Sequence, residues 1–205
     1  MVIKHQQPVK PQILFAWIVA NFSGGFVVGF LEDNGLQFMA TLVLAGAIVG
    51  SSQWLVLRRF GSSFAWWPLA SGIGWILSTI LQVSSSNVYR PIVAWLWAHL
   101  GLWEVFGLNV VTQPIAILGM AIAQIGLLVW RCRGQGKVVV IWLVASLLGA
   151  ALQGAIGAAL CAAACQALPN VLIGLVAGSA WASYGLITGL ALWRLAVTNT
   201  LPTPH

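Results

Sequence analysis

Acidic residues are nearly missing from this chain: three Asp and Glu in 205 residues, beside nine Lys and Arg and three His. General acid–base catalysis and ion-coupled proton relays need positioned carboxylates, and Glu32, Asp33 and Glu104 all lie outside the long apolar runs. A Gly-rich phosphate loop, a His-x-x-x-His pair, a Gly-x-Ser-x-Gly elbow and paired intramembrane carboxylates are also absent. The expectation is a protein that is not an enzyme, with no catalytic residue to assign, no metal site and no cofactor legible in its residues. Charge of either sign is scarce, at 6% of residues, while 60% are apolar and the mean hydropathy is +0.95. A water-soluble domain of this size needs a far more polar surface, so the expected solvent is a lipid bilayer. The net charge of +6 comes without a clustered basic face, which excludes nucleic acid as a partner.

What the chain has instead is apolar stretches of about 20 residues, the length a helix needs to cross hydrocarbon. They are read at 12–31, 36–57, 66–83, 112–130, 138–160 and 171–193. No short apolar region with a small-residue cleavage site stands apart, so the first is read as a retained helix. Six spans make one transmembrane domain over 1–205. The basic residues Lys4, Lys10, Arg58, Arg59, Arg131, Arg133, Lys137 and Arg194 then fall at the amino terminus, after spans two and four, or at the end of span six. The positive-inside rule makes both termini cytoplasmic, with Arg58, Arg59, Arg131, Arg133, Lys137 and Arg194 as the topology signal. Glu32, Asp33, Glu104 and Arg90 go to the other side.

One phrase recurs three times: Trp17-x-x-Ala20-Asn21-x-x-Gly24, Trp67-x-x-Ala70-Ser71-x-x-Gly74 and Trp142-x-x-Ala145-Ser146-x-x-Gly149. Each copy is followed one apolar segment later by Arg58, Arg131 or Arg194. The chain therefore reads as three tandem helical hairpins, 12–59, 66–133 and 138–194, in an all-α polytopic bundle. Offsets 0, 3, 4 and 7 share one helix stripe, where small side chains let backbones approach. Gly25-x-x-x-Gly29, Gly46-x-x-x-Gly50, Gly174-x-x-x-Gly178 and Gly185-x-x-x-Gly189 extend that packing signal. Asn21, Ser71 and Ser146 occupy equivalent places, so a polar ring around a pseudo-threefold axis is the candidate ligand site of the bundle. Gln53 and Gln124 are expected at a wetted cytoplasmic interface, and Gln153 mid-span with a partner on another helix.

The second hairpin carries an insertion, 84–110, whereas the turns Glu32 to Gly35 and Cys165 to Asn170 are short. Its first part, Ser84 to Asn87, reads as loop, and Pro91 to Asn109 as an interfacial or re-entrant helix that starts at the proline. A seventh span there would move Arg131 and Arg133 outside and leave Glu104 in lipid. Trp95, His99 and Trp103 recur at intervals of four, which sets the imidazole between two indoles on one face. This is the candidate site for a ligand or a pigment magnesium. Glu104 is about 140° round the helix from His99, so a His–Glu pair is not expected. Cys161 and Cys165, four apart at the outer end of span five, are read first as buried thiols, with a disulfide requiring some distortion.

The run Gly46-x-x-x-Gly50-Ser-Ser-Gln53-Trp54-Leu55-Val56-Leu57-Arg58-Arg59, followed by Trp66-Trp67-x-x-Ala70-Ser71-x-x-Gly74-Trp75, resembles a motif of uncharacterised multi-pass membrane proteins from cyanobacteria and related bacteria. The resemblance covers about a third of the chain and implies a bacterial inner or thylakoid membrane, without assigning a chemistry. The later copies, Gly126 to Arg131 and Gly189 to Arg194, keep the arginine and lose the glutamine. Gln53 is thus not expected to be required throughout the repeat. A carrier of the mitochondrial type is set aside, because no copy holds its Pro-x-Asp/Glu-x-x-Lys/Arg signature. Six spans with a structured outer loop are also similar to the substrate-binding subunits of energy-coupling-factor vitamin transporters, where 84–110 would be the lid. The leading expectation is an accessory, assembly or scaffold subunit that contacts other membrane subunits.

Overall fold

The computed structural model describes residues 11–35, 38–60, 62–101, 103–131 and 135–198. Lys4, Lys10, Cys132 and Arg133 lie outside the described residues. Seven α-helices account for most of what is described: α1 Gln12–Asp33, α2 Phe38–Leu57, α3 Trp67–Ser84, α4 Ser86–Leu100, α5 Glu104–Arg131, α6 Gln135–Ala164 and α7 Asn170–Val197. Two short 3₁₀ turns, Arg58–Phe60 and Ser62–Trp66, carry the chain from α2 to α3. No strand occurs among the described residues. Helices satisfy every interior backbone group within the segment, which an apolar surround demands. Five stretches, Gln12–Asp33, Phe64–Ser84, Glu104–Trp130, Gly136–Ala164 and Asn170–Val197, are long and apolar enough to cross a membrane, and Val43–Leu57 of α2 is a shorter apolar helix.

Six helices close into a ring in the order α1, α2, α3, α5, α6, α7 and back to α1, each packed on two neighbours. The helix α4 stands outside the ring, mainly against α5. Small residues set the spacing at the seams. A Cβ on Gly74 of α3 would lie 2.6 Å from the Gly119 carbonyl oxygen of α5, and one on Gly119 would lie 2.5 Å from that of Gly74. At the same crossing the Ser78 hydroxyl oxygen accepts from the Gly119 and Met120 amides at 2.7 and 3.3 Å. Gly25 and Gly29 of α1 receive Trp181 and Ala177 of α7, while Gly174 and Gly178 of α7 receive Phe26 and Phe22 of α1. The glycine pairs named in the sequence are therefore seats for side chains of the neighbouring helix.

Apart from Arg90 of α4, the described basic and acidic residues separate to opposite ends of the ring. Arg58 and Arg59 follow α2, Lys137 lies in the first turn of α6 and Arg194 in the last turn of α7. Glu32 and Asp33 close α1, and Glu104 opens α5. At this acidic end the turns of α1 and α7 are tied reciprocally, Asn34 Nδ2 donating to the Asn170 carbonyl at 3.5 Å and Asn170 Nδ2 to the Asp33 carbonyl at 3.3 Å.

The insertion departs from its expected form. Ser84 to Asn87 is a bend centred on Ser85, whose amide bonds back to Leu81 while its carbonyl already accepts from Val88 and Tyr89. Helix α4 thus starts before Pro91, which lies inside it. The expected single helix from Pro91 to Asn109 is instead broken. Gly101 takes a left-handed conformation, φ +61°, and its amide bonds to the Trp97 carbonyl, ending α4. The chain then reverses, so that Val93 packs near Gly107. Residues 104 to 111 become the first turns of α5 rather than part of the outer helix.

Candidate functional site

The repeated tryptophans meet. Trp17 of α1, Trp67 of α3 and Trp142 of α6 are each wholly buried and touch edge to face, with ring centroids 6.3, 6.0 and 5.7 Å apart. Edge-to-face contacts set the positive rim of one ring on the negative face of the next. An indole N–H buried this way needs an acceptor, since leaving it bare costs about 1–3 kcal/mol. Each finds one on the preceding helix of the ring. Trp67 donates to Gln53 Oε1 of α2 at 2.8 Å, Trp142 to Gln124 Oε1 of α5 at 3.2 Å, and Trp17 to Thr188 Oγ1 of α7 at 2.9 Å. The three bonds run in the same sense around the ring.

The glutamines carry the network one layer deeper. Gln53 Nε2 donates to Asn21 Oδ1 at 2.8 Å, and Asn21 Nδ2 returns to the Trp17 carbonyl at 2.8 Å. Gln124 Nε2 donates to Ser71 Oγ at 2.9 Å and to Gln53 Oε1 at 3.2 Å. Gln53 Oε1 therefore accepts from both Trp67 and Gln124. Because an indole N–H only donates, Trp67 fixes which end of the Gln53 amide is oxygen. Both glutamines are fully buried, so the expected wetted position is wrong. The reason lies in the interior tryptophans, which need acceptors that water would supply at an interface.

The third sector differs. Thr188 stands where a glutamine stands in the other two, and its hydroxyl donates to its own helix at Tyr184, too short to span to Ser146. Ser146 Oγ and the Tyr184 hydroxyl are both buried, and neither makes a hydrogen bond of good geometry. Trp75 Nε1, Gln113 Oε1 and Gln153 Oε1 are also buried without a partner. The expected cross-helix bond from the Gln153 carbonyl oxygen is thus not made.

The structure brings Asn21 and Ser71 into one bonded network and sets Ser146 beside it. It does not bring His99, Trp95 and Trp103 there. Trp95 and His99 stack on α4 with centroids 4.9 Å apart and planes at 19°, and His99 Nδ1 lies 3.0 Å from the Trp95 carbonyl. Trp103 follows the break at Gly101, off the helix that carries His99, so the imidazole is not held between two indoles of one helix. All three are exposed. Among the described residues no three His, Cys, Asp or Glu side chains converge as metal ligands. Cys161 and Cys165 are joined in a disulfide, with Cα atoms 4.6 Å apart, on an exposed helix end; the reading as buried thiols is corrected. The i, i+4 spacing on a helix already brings the two Cα atoms within disulfide range.

Sequence reasoning missed Thr188 altogether and missed the role of Gln124 as an indole acceptor. Gln124 and Thr188 lie seven and six residues before their arginines, whereas Gln53 lies five before Arg58. Alignment on the arginines puts Gly126 and Gly189 opposite Gln53 and hides the shared acceptor. The acceptor is present in all three copies, displaced by a turn fraction.

Against the ring's outer face lies a shallow groove of about 290 Å³, lined by Ser51, Ser52, Trp54 and Leu55 of α2 with Ala65 and Pro68. Compared with protein-family models, curated proteins and solved structures, the chain matches none.

Proposed function

We propose that the chain is a non-enzymatic integral membrane protein that serves as an accessory, assembly or scaffold subunit of a larger membrane complex. Its six ring helices are three tandem hairpins, α1–α2, α3–α5 and α6–α7, related by a pseudo-threefold axis, and all six cross the bilayer. Arg58, Arg59, Arg131, Arg133, Lys137 and Arg194 face the cytoplasm of a bacterial inner or thylakoid membrane, which keeps both termini inside. The helix α4 rests at the opposite surface. The observation that carries this reading is the filled axis: Trp17, Trp67 and Trp142 occupy it, and the polar groups below them bond mostly to one another. A substrate-binding subunit of a vitamin-type transporter needs a polar cavity on that axis, beneath α4. The packed centre favours a rigid platform, and the exposed Trp95, Trp97 and Trp103 favour contacts made from its rim.

The test is purification in a mild detergent after cross-linking in the membrane. Co-purifying respiratory or photosynthetic subunits, cross-linked through α4, are the expected result. Co-purifying ATPase subunits with a bound small molecule would replace this reading with transport, and a coloured preparation bleached by His99→Ala would replace it with pigment binding. Orientation is read separately: a cysteine at Lys137 should be silent to a membrane-impermeant thiol reagent added outside.

A further inference from the structure

The groove between α2 and α3 has no role in the network just described, and its composition is uneven. Its wall is apolar, from Trp54, Leu55, Ala65 and Pro68, and its floor carries Ser51 and Ser52. Both hydroxyls donate to their own helix, to the Ala47 and Ile48 carbonyls at 2.7 and 3.2 Å, which leaves their oxygen lone pairs free to accept. Ser51 and Leu55 are four apart on one face of α2, and Arg58 and Arg59 follow Leu55 by three and four residues in the 3₁₀ turn that continues the chain past this end of the groove. Both arginines are exposed. The three Asp and Glu side chains all belong to the opposite end, so among the described residues neither guanidinium has an acidic partner. Trp66, 60% exposed, flanks the same edge with the amphipathic ring that favours a headgroup depth.

We propose that this groove is a binding site for an anionic phospholipid, with an acyl chain along Trp54, Leu55, Ala65 and Pro68 and the phosphate held by Arg58 and Arg59. The site rests on the membrane reading above. Its volume suits a length of acyl chain and not a whole lipid, which leaves the rest of the molecule in the annular layer. Guanidinium forks match phosphate oxygens in pairs. A zwitterionic lipid offers the same chain, but its own cation competes with the arginines.

Native mass spectrometry of the full chain released from nanodiscs of phosphatidylglycerol and phosphatidylcholine tests this. The wild type should retain phosphatidylglycerol preferentially. Arg58→Gln with Arg59→Gln should lower that retention roughly 25-fold, at about 5-fold for each arginine. Ala65→Trp, which fills the exposed groove and keeps both arginines, should lower it as well. Thermal unfolding in detergent checks that both variants remain folded. Equal retention of the two lipids by the wild type, or unchanged retention in the arginine variant, overturns the proposal while leaving a membrane protein. Displacement of the lipid by inorganic phosphate, with no effect of Ala65→Trp, overturns it in favour of a free anion. Solubility of the chain without detergent or bilayer would instead remove the membrane reading beneath it.

Discussion

Replacing Gln53 by leucine should be among the most damaging single changes that leave the volume of the interior nearly constant. The amide makes three hydrogen bonds, to Asn21, Trp67 and Gln124, at 2.8, 2.8 and 3.2 Å. Side-chain hydrogen bonds between membrane helices contribute about 0.6 kcal/mol each on average, which sets a floor near 2 kcal/mol for the three. The leucine also strands the Trp67 N–H and the Asn21 carbonyl oxygen in a dry interior, at about 1–3 kcal/mol for each group with no alternative partner. Gln124 keeps Ser71 and loses less. A destabilisation of about 2–4 kcal/mol is expected, measured by equilibrium unfolding in mixed micelles with the emission of the buried tryptophans as the signal. Gln153→Leu is the control, because the Gln153 carbonyl oxygen bonds to nothing; it should change stability by less than about 0.5 kcal/mol or raise it. A double-mutant cycle with Trp67→Phe should return a coupling of about 0.5–1.5 kcal/mol. A Gln53→Leu variant as stable as its Gln153 counterpart, or a coupling near zero, would refute the network as a source of stability.

The seams make an equally sharp contrast. Gly119→Ala places a methyl 2.5 Å from the Gly74 carbonyl and should cost about 1–3 kcal/mol in the same unfolding assay, whereas Gly126→Ala meets nothing within 4 Å and should gain up to about 1 kcal/mol from helix propensity. The disulfide Cys161–Cys165 closes a loop of only a few residues, so reduction should lower stability by no more than about 2 kcal/mol. Alkylation with a mass tag should label both thiols only after reductant is added. Gly101→Ala forces a left-handed backbone on a β-carbon and should loosen the α4–α5 turn at about 1 kcal/mol, read by hydrogen exchange at 97–105, while Gly101→Asn should be milder.

Most of the frame could be read from residue order. The repeated Trp-x-x-Ala-Asn/Ser-x-x-Gly phrase marks where α1, α3 and α6 begin to pack, and the small residues at offsets 3, 4 and 7 do line seams. Apolar composition fixed the helices, because no other local structure satisfies a backbone in lipid. The hydrogen-bond partners were less legible. Gln53, Gln124 and Thr188 share a task from three different offsets, since what matters is where a side chain ends, and a glutamine and a threonine reach the same indole from different Cα positions. Burial of the two glutamines likewise depended on the convergence of three tryptophans from segments as much as 125 residues apart, which no local window contains. The break at Gly101 has a local cause that a helical reading of the Trp95, His99, Trp103 spacing passed over: glycine ends helices by turning left-handed, and periodicity alone continues through it.

The bond from Trp17 to Thr188 joins residues 171 positions apart, and the widest seam in the ring is the one between the first helix and the last. At about 5–20 residues per second, a ribosome needs on the order of 10–30 s to deliver the second partner after the first. Throughout that interval the Trp17 indole lacks this acceptor and Gly25 and Gly29 lack the α7 side chains that cover them. The α1–α7 face can therefore be sealed only after α7 has been made, long after α1 has met α2.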